Sequence, residues 1–560
     1  MNILKTRSKR FAVLIPLAYF AILMCSQYRV PAITSDGHTY LQIARNIHYG
    51  IGLGWQALWV PPLHSILIAL VAWLPGTHDL QGAAGIVSLM MGMLFTVSLY
   101  FLSAAIFNQK VGVITTIVVL SFPHIPNLIF SIEPEITYTA FLLTSLALLL
   151  AAIRRNSFAF AILAGISFSL TYLSRSEGFL VMVMTLFVLC AIQGFRFYRT
   201  SLARLCLTVM VMFFITSSPY LYFLKKHYGA FVISPKATYV LIWMKSQVYH
   251  DNDKGEISND ELWGLTSEGK LKWQQASGIR DLVNFLMSHP SKSLSVYLHN
   301  LSMELPGRIP NSSGTLHFPQ VYPVYIVLLA LLAALLRWNE ASVLKKTVLF
   351  APLLILLVLP IFTEGWCKYL LPYASLLFIA AGGGLFLTAE KLMTHFDNPR
   401  LRNTVYLVPF GMSAIAAVYF LSVLLQQPTV LKNKDSIARG NDYEYTRNAA
   451  LMARQLFGPG RNYMVQWNKM IYYLDGLWTP MPITSHSRML EFARRNKVDY
   501  VIGEYDGLAV TDKQLVDGVP SGLQLIGVYR SEDLEYCAVY YKLLYPLQLS
   551  PFYGTAPGSR

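Results

Sequence analysis

Several charged side chains of the chain stand just past apolar stretches, and their types suit the handling of protons and charge. Asp36 follows an apolar run over residues 11–27, and Glu133 and Glu135 follow one ending at 130. Arg175 and Glu177 follow one ending at 173, and Glu364 and Lys368 one ending at 362. If each run crosses a membrane, these are the first, third, fifth and ninth crossings, and odd-numbered crossings all exit on one face. Charge gathered at one rim is the layout of an enzyme working at a membrane surface, whereas a channel places it along its axis. A carboxylate fixed at that rim can take a proton from a hydroxyl as it attacks. Ser35 and Asp36 also suit the N-cap of a helix in which Tyr40, Ile43, Ala44 and Ile47 share one face, and capping does not exclude catalysis.

The elements that must hold these residues are membrane helices. Of 560 residues, 54% are hydrophobic and 13% charged, with a mean hydropathy of +0.44, more apolar surface than a soluble domain can hide. The net charge of +15 falls mostly in short loops, where Lys and Arg set orientation, so nucleic acid is not the expected partner. Cys25, Cys190, Cys206, Cys367 and Cys537 show no metal-ligand spacing and no disulfide framework. Lys5, Arg7, Lys9 and Arg10 precede the first apolar run, which lacks a small-x-small cleavage site near Cys25–Gln27 and reads as a retained span.

Runs long enough to cross occupy 11–27, 83–107, 111–130, 136–153, 157–173, 178–195, 205–224, 318–336, 347–362, 369–389 and 403–425, eleven in all. The stretch 61–75, opening Pro61-Pro62-Leu63-His64, is apolar but short. If it does not cross, Lys110, Arg154, Arg155, Arg196, Arg199, Arg204, Arg337, Lys345, Lys346, Lys391, Arg400 and Arg402 all lie inside with the basic N-terminus. It is therefore expected to be a re-entrant or juxtamembrane helix on the outer face. The expected fold is an all-α polytopic bundle over 1–425, with outer loops 28–82 and 225–317, and an extracytoplasmic α/β domain over 426–560. In that tail, strand-like runs at Asn462–Gln466, Val498–Glu504, Leu523–Tyr529 and Cys537–Leu543 alternate with a helical pattern at Ser487–Asn496.

Asp36, Tyr40 and Ala44 at four-residue spacing, the Gly-rich stretch Gly50–Gly54 and the Pro61-Pro62-Leu63 helix start resemble the GT-C glycosyltransferases that use polyprenyl-phosphate sugars. Within them the chain is most similar to the bacterial relatives of protein O-mannosyltransferases and aminoarabinose transferases. Ser131-Ile132-Glu133-Pro134-Glu135, Ser174-Arg175-Ser176-Glu177-Gly178 and Lys368-Tyr369-Leu370-Leu371-Pro372 agree in order and side, so the likeness covers roughly 11–425. The chain departs from the pattern at Gly37, where many members carry a second acid, and at Lys368, where Arg is common.

The resemblance implies an inverting transfer of a sugar from a polyprenyl-phosphate donor to a lipid, glycan or protein hydroxyl, at the outer face of the cytoplasmic membrane. Asp36 would be the base, and Lys368, Arg175, Lys236 and Arg45 would hold the donor phosphate. Tyr40, His64 and Glu177 would support them. No cofactor is expected to be required; the alternative is a divalent cation on the second acidic site, Glu133 and Glu135. Plainer roles stand beside these. Pro134 can simply start a helix with acids in its first turn, and Arg175–Glu177 can be a structural ion pair. The rival functions are a transporter or flippase of lipid-linked sugars, which should show repeats and mid-membrane charge, and a non-catalytic envelope-assembly scaffold.

Overall fold

The computed structural model describes residues 12–27, 33, 36–74, 79–193, 201–234, 236–249, 264–272, 279–304, 324–335, 343–361, 367–395, 399–426, 440–465, 469–482, 484–505, 523–530 and 537–544. Two compact units emerge: residues 1–258 with 273–438, and residues 259–272 with 439–560.

The described helices of the first unit are α1 (Leu14–Gln27), α2 (Gly37–His48), α3 (Leu63–Ala72), α4 (Leu80–Ile106), α5 (Gln109–Ser121), α6 (His124–Ile129), α7 (Glu135–Arg155), α8 (Phe158–Ser174) and α9 (Glu177–Gln193). They continue with α10 (Ser201–Tyr228), α11 (Ala237–Tyr249), α12 (Ile279–Ser288), α13 (Pro290–Glu304), α14 (Val324–Leu335), α15 (Val343–Phe350), α16 (Cys367–Met393) and α17 (Pro399–Gln426). Helix lies on every predicted span, and side chains such as Phe187 and Ile415 present their apolar surface outward. The chain is a multi-pass membrane protein.

Five of these segments are long and apolar enough to cross a membrane, Leu80–Ile106, Glu135–Arg155, Ser201–Tyr228, Val343–Ile361 and Pro372–Met393, against the eleven expected. Proline divides one of the eleven runs. The run 111–130 is not one helix, because Phe122 takes an extended conformation (ψ 120°) ahead of Pro123 and the chain restarts as the short α6. Beyond α15 the chain winds as 3-10 turns, Ala351–Leu357 and Leu359–Ile361, around Pro352 and Pro360. At 61–75 only the ten residues of α3 are helical, about 15 Å of rise, half the hydrocarbon core.

The first loop packs α2 and α3 side by side, start against start and end against end. Tyr40 meets His64 edge-on at 5.7 Å between ring centroids, and His48 stacks with Trp73 at 6.3 Å. The expected apolar face of α2 forms the joint, with Tyr40 and Ile43 buried against Ala57 and Val60 and Ile47 beside them. Gly54 (φ 71°) makes the return, where a Cβ would come within 2.5 Å of Asn46 Nδ2. The far end of α10 clasps this loop. Tyr220 donates to the Ala57 carbonyl at 3.0 Å and Tyr228 to the Leu58 carbonyl at 2.8 Å.

The second unit holds a five-stranded sheet in the order β2-β1-β3-β5-β4, with β1 (Asn462–Val465), β2 (Leu477–Pro480), β3 (Tyr500–Tyr505), β4 (Leu523–Arg530) and β5 (Cys537–Leu543). β1 runs parallel to β2 and β3, and β5 antiparallel to β3 and β4. β2 is the strand that sequence reading missed: four residues ending in proline, tolerable only at the sheet edge it occupies. The predicted helix at Ser487–Asn496 is His486–Arg495.

His64 ties α3 to α7, its Nδ1 lying 3.0 Å from Thr137 Oγ1, and burial pushes its imidazole from 6.5 down to about 4. The folded ring is thus neutral where an unfolded one takes a proton. Between pH 6.5 and about 4 the unfolded chain binds more protons, so stability should fall as pH drops through that window, by at most about 3 kcal/mol. Melting temperatures measured across it should decline for the native chain and decline less for His64→Gln.

Candidate active site

Six helix ends converge on one small cleft, lined by Asp36, Tyr40, Pro61, Glu135, Arg175, Ser176, Glu177 and Lys236. Asp36 precedes α2, Pro61 precedes α3, Glu135 opens α7, Arg175 follows α8, Glu177 opens α9 and Lys236 precedes α11. The sequence scatters these positions over two hundred residues.

Asp36 sits at the N-cap of α2, where its backbone carbonyl accepts from the amides of Thr39 (3.0 Å) and Tyr40 (3.3 Å). Its side chain makes no capping hydrogen bond and lines the cleft instead. Pro134 starts α7, as its sequence suggested, and places Glu135 in the first turn. Glu135 is also 2% exposed, and its Oε1 accepts from Arg175 Nη1 at 2.5 Å. Helix initiation and placement in the cleft therefore coexist. Arg175 Nη2 reaches Glu177 Oε1 at 3.5 Å, so one guanidinium bridges two acids.

A buried cation between carboxylates is held by mutual need, since either partner alone would carry an uncompensated charge. Burial opposes ionisation of Glu177, but Arg175 and Lys236 outweigh it and hold the carboxyl below its ordinary value. Burial, reinforced by the charges of Glu135 and Asp36, pushes the Tyr40 phenol well above its ordinary value. Tyr40 therefore remains a hydrogen-bond donor.

Local structure fixes the cationic side. Between α8 and α9 the chain turns in two residues, Arg175 extended (φ −152°), with the Gly178 amide donating to the Arg175 carbonyl at 3.0 Å. A Cβ on Gly178 would stand 2.6 Å from the Tyr172 amide nitrogen, so only glycine allows this turn. Tyr172 donates to the Ile233 carbonyl at 2.7 Å and anchors the segment leading to Lys236. Tyr138 and Tyr373 share a buried hydroxyl contact of 2.7 Å that joins α7 to α16.

Of the residues singled out in the sequence, Asp36, Tyr40, Glu135, Arg175, Glu177 and Lys236 line the cleft, and His64 supports Tyr40 from α3. Glu133 lies close enough to act electrostatically on Tyr40 but does not line the cleft, and neither does the buried Arg45 of α2. Lys368 falls in the first turn of α16; its side chain and Glu364 lie outside the described residues. The tyrosines that anchor the elements escaped sequence reading because they sit inside apolar runs and bear no charge. Among the described residues no three His, Cys, Asp or Glu side chains group as ligands, and Glu135 commits one oxygen to Arg175.

Residues 60–223 match the family described as dolichyl-phosphate-mannose-protein mannosyltransferase. No curated protein sequence matches the chain. Solved structures do. The oligosaccharyltransferase AglB from Archaeoglobus fulgidus, in complex with an inhibitory peptide and a dolichol-phosphate, is 14% identical with a TM-score of 0.55, covering 97% of this chain and 75% of that one. ArnT from Cupriavidus metallidurans, bound to undecaprenyl phosphate, is 13% identical with a TM-score of 0.53, covering 96% and 98%. ArnT in the apo state reaches 0.55 at 13% identity, covering 95% and 98%. By fold along its length, and by sequence pattern over residues 60–223, the chain is similar to the polyprenyl-phosphate-dependent glycosyltransferases and has the GT-C membrane fold.

Proposed function

We propose that the chain is an inverting glycosyltransferase that moves a sugar from a polyprenyl-phosphate donor to a hydroxyl of a lipid, glycan or protein acceptor, at the outer face of the cytoplasmic membrane. One observation carries the reading. A carboxylate not used for capping, Asp36, shares a cleft with Lys236 and the Arg175 bridge at the ends of membrane helices. The likeness to proteins solved with dolichol-phosphate and undecaprenyl phosphate supports it.

In this reading the acceptor hydroxyl gives its proton to Asp36 while its oxygen bonds to the anomeric carbon. The bond from that carbon to the phosphate oxygen breaks, and its electron pair leaves with the polyprenyl phosphate. The departing group is an anion, so no general acid is needed, and the developing charges are met by fixed cations. Lys236 is the cation within the cleft suited to this task, Arg175 adds charge while bridging its acids, and Lys368, in the first turn of α16, would complete the set. Arg45 stands behind α2 as a further positive charge. Tyr40 donates a hydrogen bond within the cleft.

Asp36→Asn should lower transfer from an undecaprenyl-phosphate sugar by about 10²- to 10⁴-fold with the melting temperature kept. Full transfer by that variant removes the base, and native protein inert with every such donor favours the transporter reading. Lys236→Ala should raise KM for the donor about tenfold and weaken binding of undecaprenyl phosphate alone; an unchanged KM takes Lys236 out of phosphate binding. Gly178→Ala should cost up to about 10²-fold in kcat by displacing Arg175 and Glu177, measured in the same assay.

A further inference from the structure

The amphipathic corner α12–α13 lies within the large outer loop and takes no part in the cleft. Only His289 separates the two helices. On one side Phe285, with Leu282, Leu286 and Val296, packs onto Leu241, Met244 and Val248 of α11. On another, Tyr297 donates to the Leu357 carbonyl and Asn300 Nδ2 to the Pro360 carbonyl, each at 2.9 Å. Both acceptors belong to the end of the candidate membrane span Val343–Ile361.

These contacts leave a third surface. Val283 and Met287 of α12 are 49% and 74% exposed, and Leu294 and Leu298 of α13 are 56% and 52% exposed. Each pair has the i, i+4 spacing that makes a stripe on one helix face. On α13 the stripe is rotated by roughly a quarter turn from Tyr297 and Asn300, and Lys292, Ser295 and His299 occupy the remaining, polar side. The helix thus has one face for protein, one apolar face and one for water. That division suits a helix lying in the plane of a membrane surface. Exposed Leu354 and Leu357 continue the apolar surface onto the span to which α13 is bonded. The exposed Arg280 provides charge for anionic headgroups, whereas the Lys292 ammonium donates to the Val248 carbonyl of α11 at 3.4 Å.

We propose that α12 and α13 dock on the outer leaflet of the bilayer through Val283, Met287, Leu294 and Leu298. The occupant is the lipid surface, because the stripes adjoin the end of a membrane span and carry the three-way division of an interfacial helix. The docking fixes the outer loop, which also supplies Lys236, at the level where a lipid headgroup lies.

The test uses the full-length chain with its five cysteines replaced by serine, in nanodiscs of phosphatidylethanolamine and phosphatidylglycerol. The environment-sensitive fluorophore NBD is attached at Met287→Cys, Leu298→Cys, Asn284→Cys or Ser295→Cys, one site at a time. Lipids with a nitroxide high on the acyl chain should quench the labels at 287 and 298 at least about threefold more than those at 284 and 295. Equal quenching at all four positions overturns the proposal. So does shielding of 287 and 298 from aqueous iodide without lipid quenching, which would mean that protein covers the stripes. A second readout covers misfolding: Met287→Gln with Leu298→Gln should keep the melting temperature in detergent yet lower that in nanodiscs. Equal shifts in both media count against docking.

Discussion

The bridge from Arg175 to Glu135 and Glu177 is the constraint on which the rest of the cleft depends. It fastens the start of α7, the end of α8 and the start of α9 at a depth where water reaches little of any of them. An ion pair so placed contributes little net stability, because desolvation offsets most of the attraction. Its effect is geometric. Removing either partner leaves a charge with nowhere to go, so the three helix ends must meet in one arrangement, and that arrangement forms the cleft that Asp36 and Lys236 share.

Around the bridge, neutral hydrogen bonds do the positioning that charge cannot. The tyrosines of α8 and α10 donate to backbone carbonyls of the segments that lead into the cleft. His64, held neutral by burial, joins α3 to α7 without adding charge beside Asp36. The division is economical in electrostatic terms. Ionised groups remain around the cleft, and uncharged donors carry the architecture.

Much of this could be read from the amino acids, for stated reasons. Period and length gave the helices, and lysine and arginine gave the side on which loops belong, which put Asp36, Glu135, Arg175 and Glu177 on one rim before any coordinates. The short apolar stretch after the paired prolines was set apart from the crossings by the basic loops that follow it, and α3 is ten residues long. What escaped was set by context. A proline inside an apolar run looks harmless in a hydropathy profile, yet Pro123 ends α5. The tyrosines were invisible because a buried phenol resembles any aromatic until its partner is known. Arg45 was placed near a phosphate by resemblance; on α2 it lies roughly a turn and a half past Tyr40 and does not line the cleft.

The second unit is assembled from two stretches far apart in the chain. A hairpin at residues 264–272, closed by the Leu265–Leu271 bridge, lies against helix His486–Arg495, where Arg488 donates to the Thr266 carbonyl and Arg495 to that of Glu268. During synthesis this hairpin is made well before its partner, with the helices α14 to α17 still to be inserted between the two. Leu271, fully buried in the finished structure, must wait through those insertions for its cover. The last fifth of the chain is therefore no detachable appendage: a ribosome that stops short of it releases a protein in which Leu265 and Leu271 lack their finished surroundings.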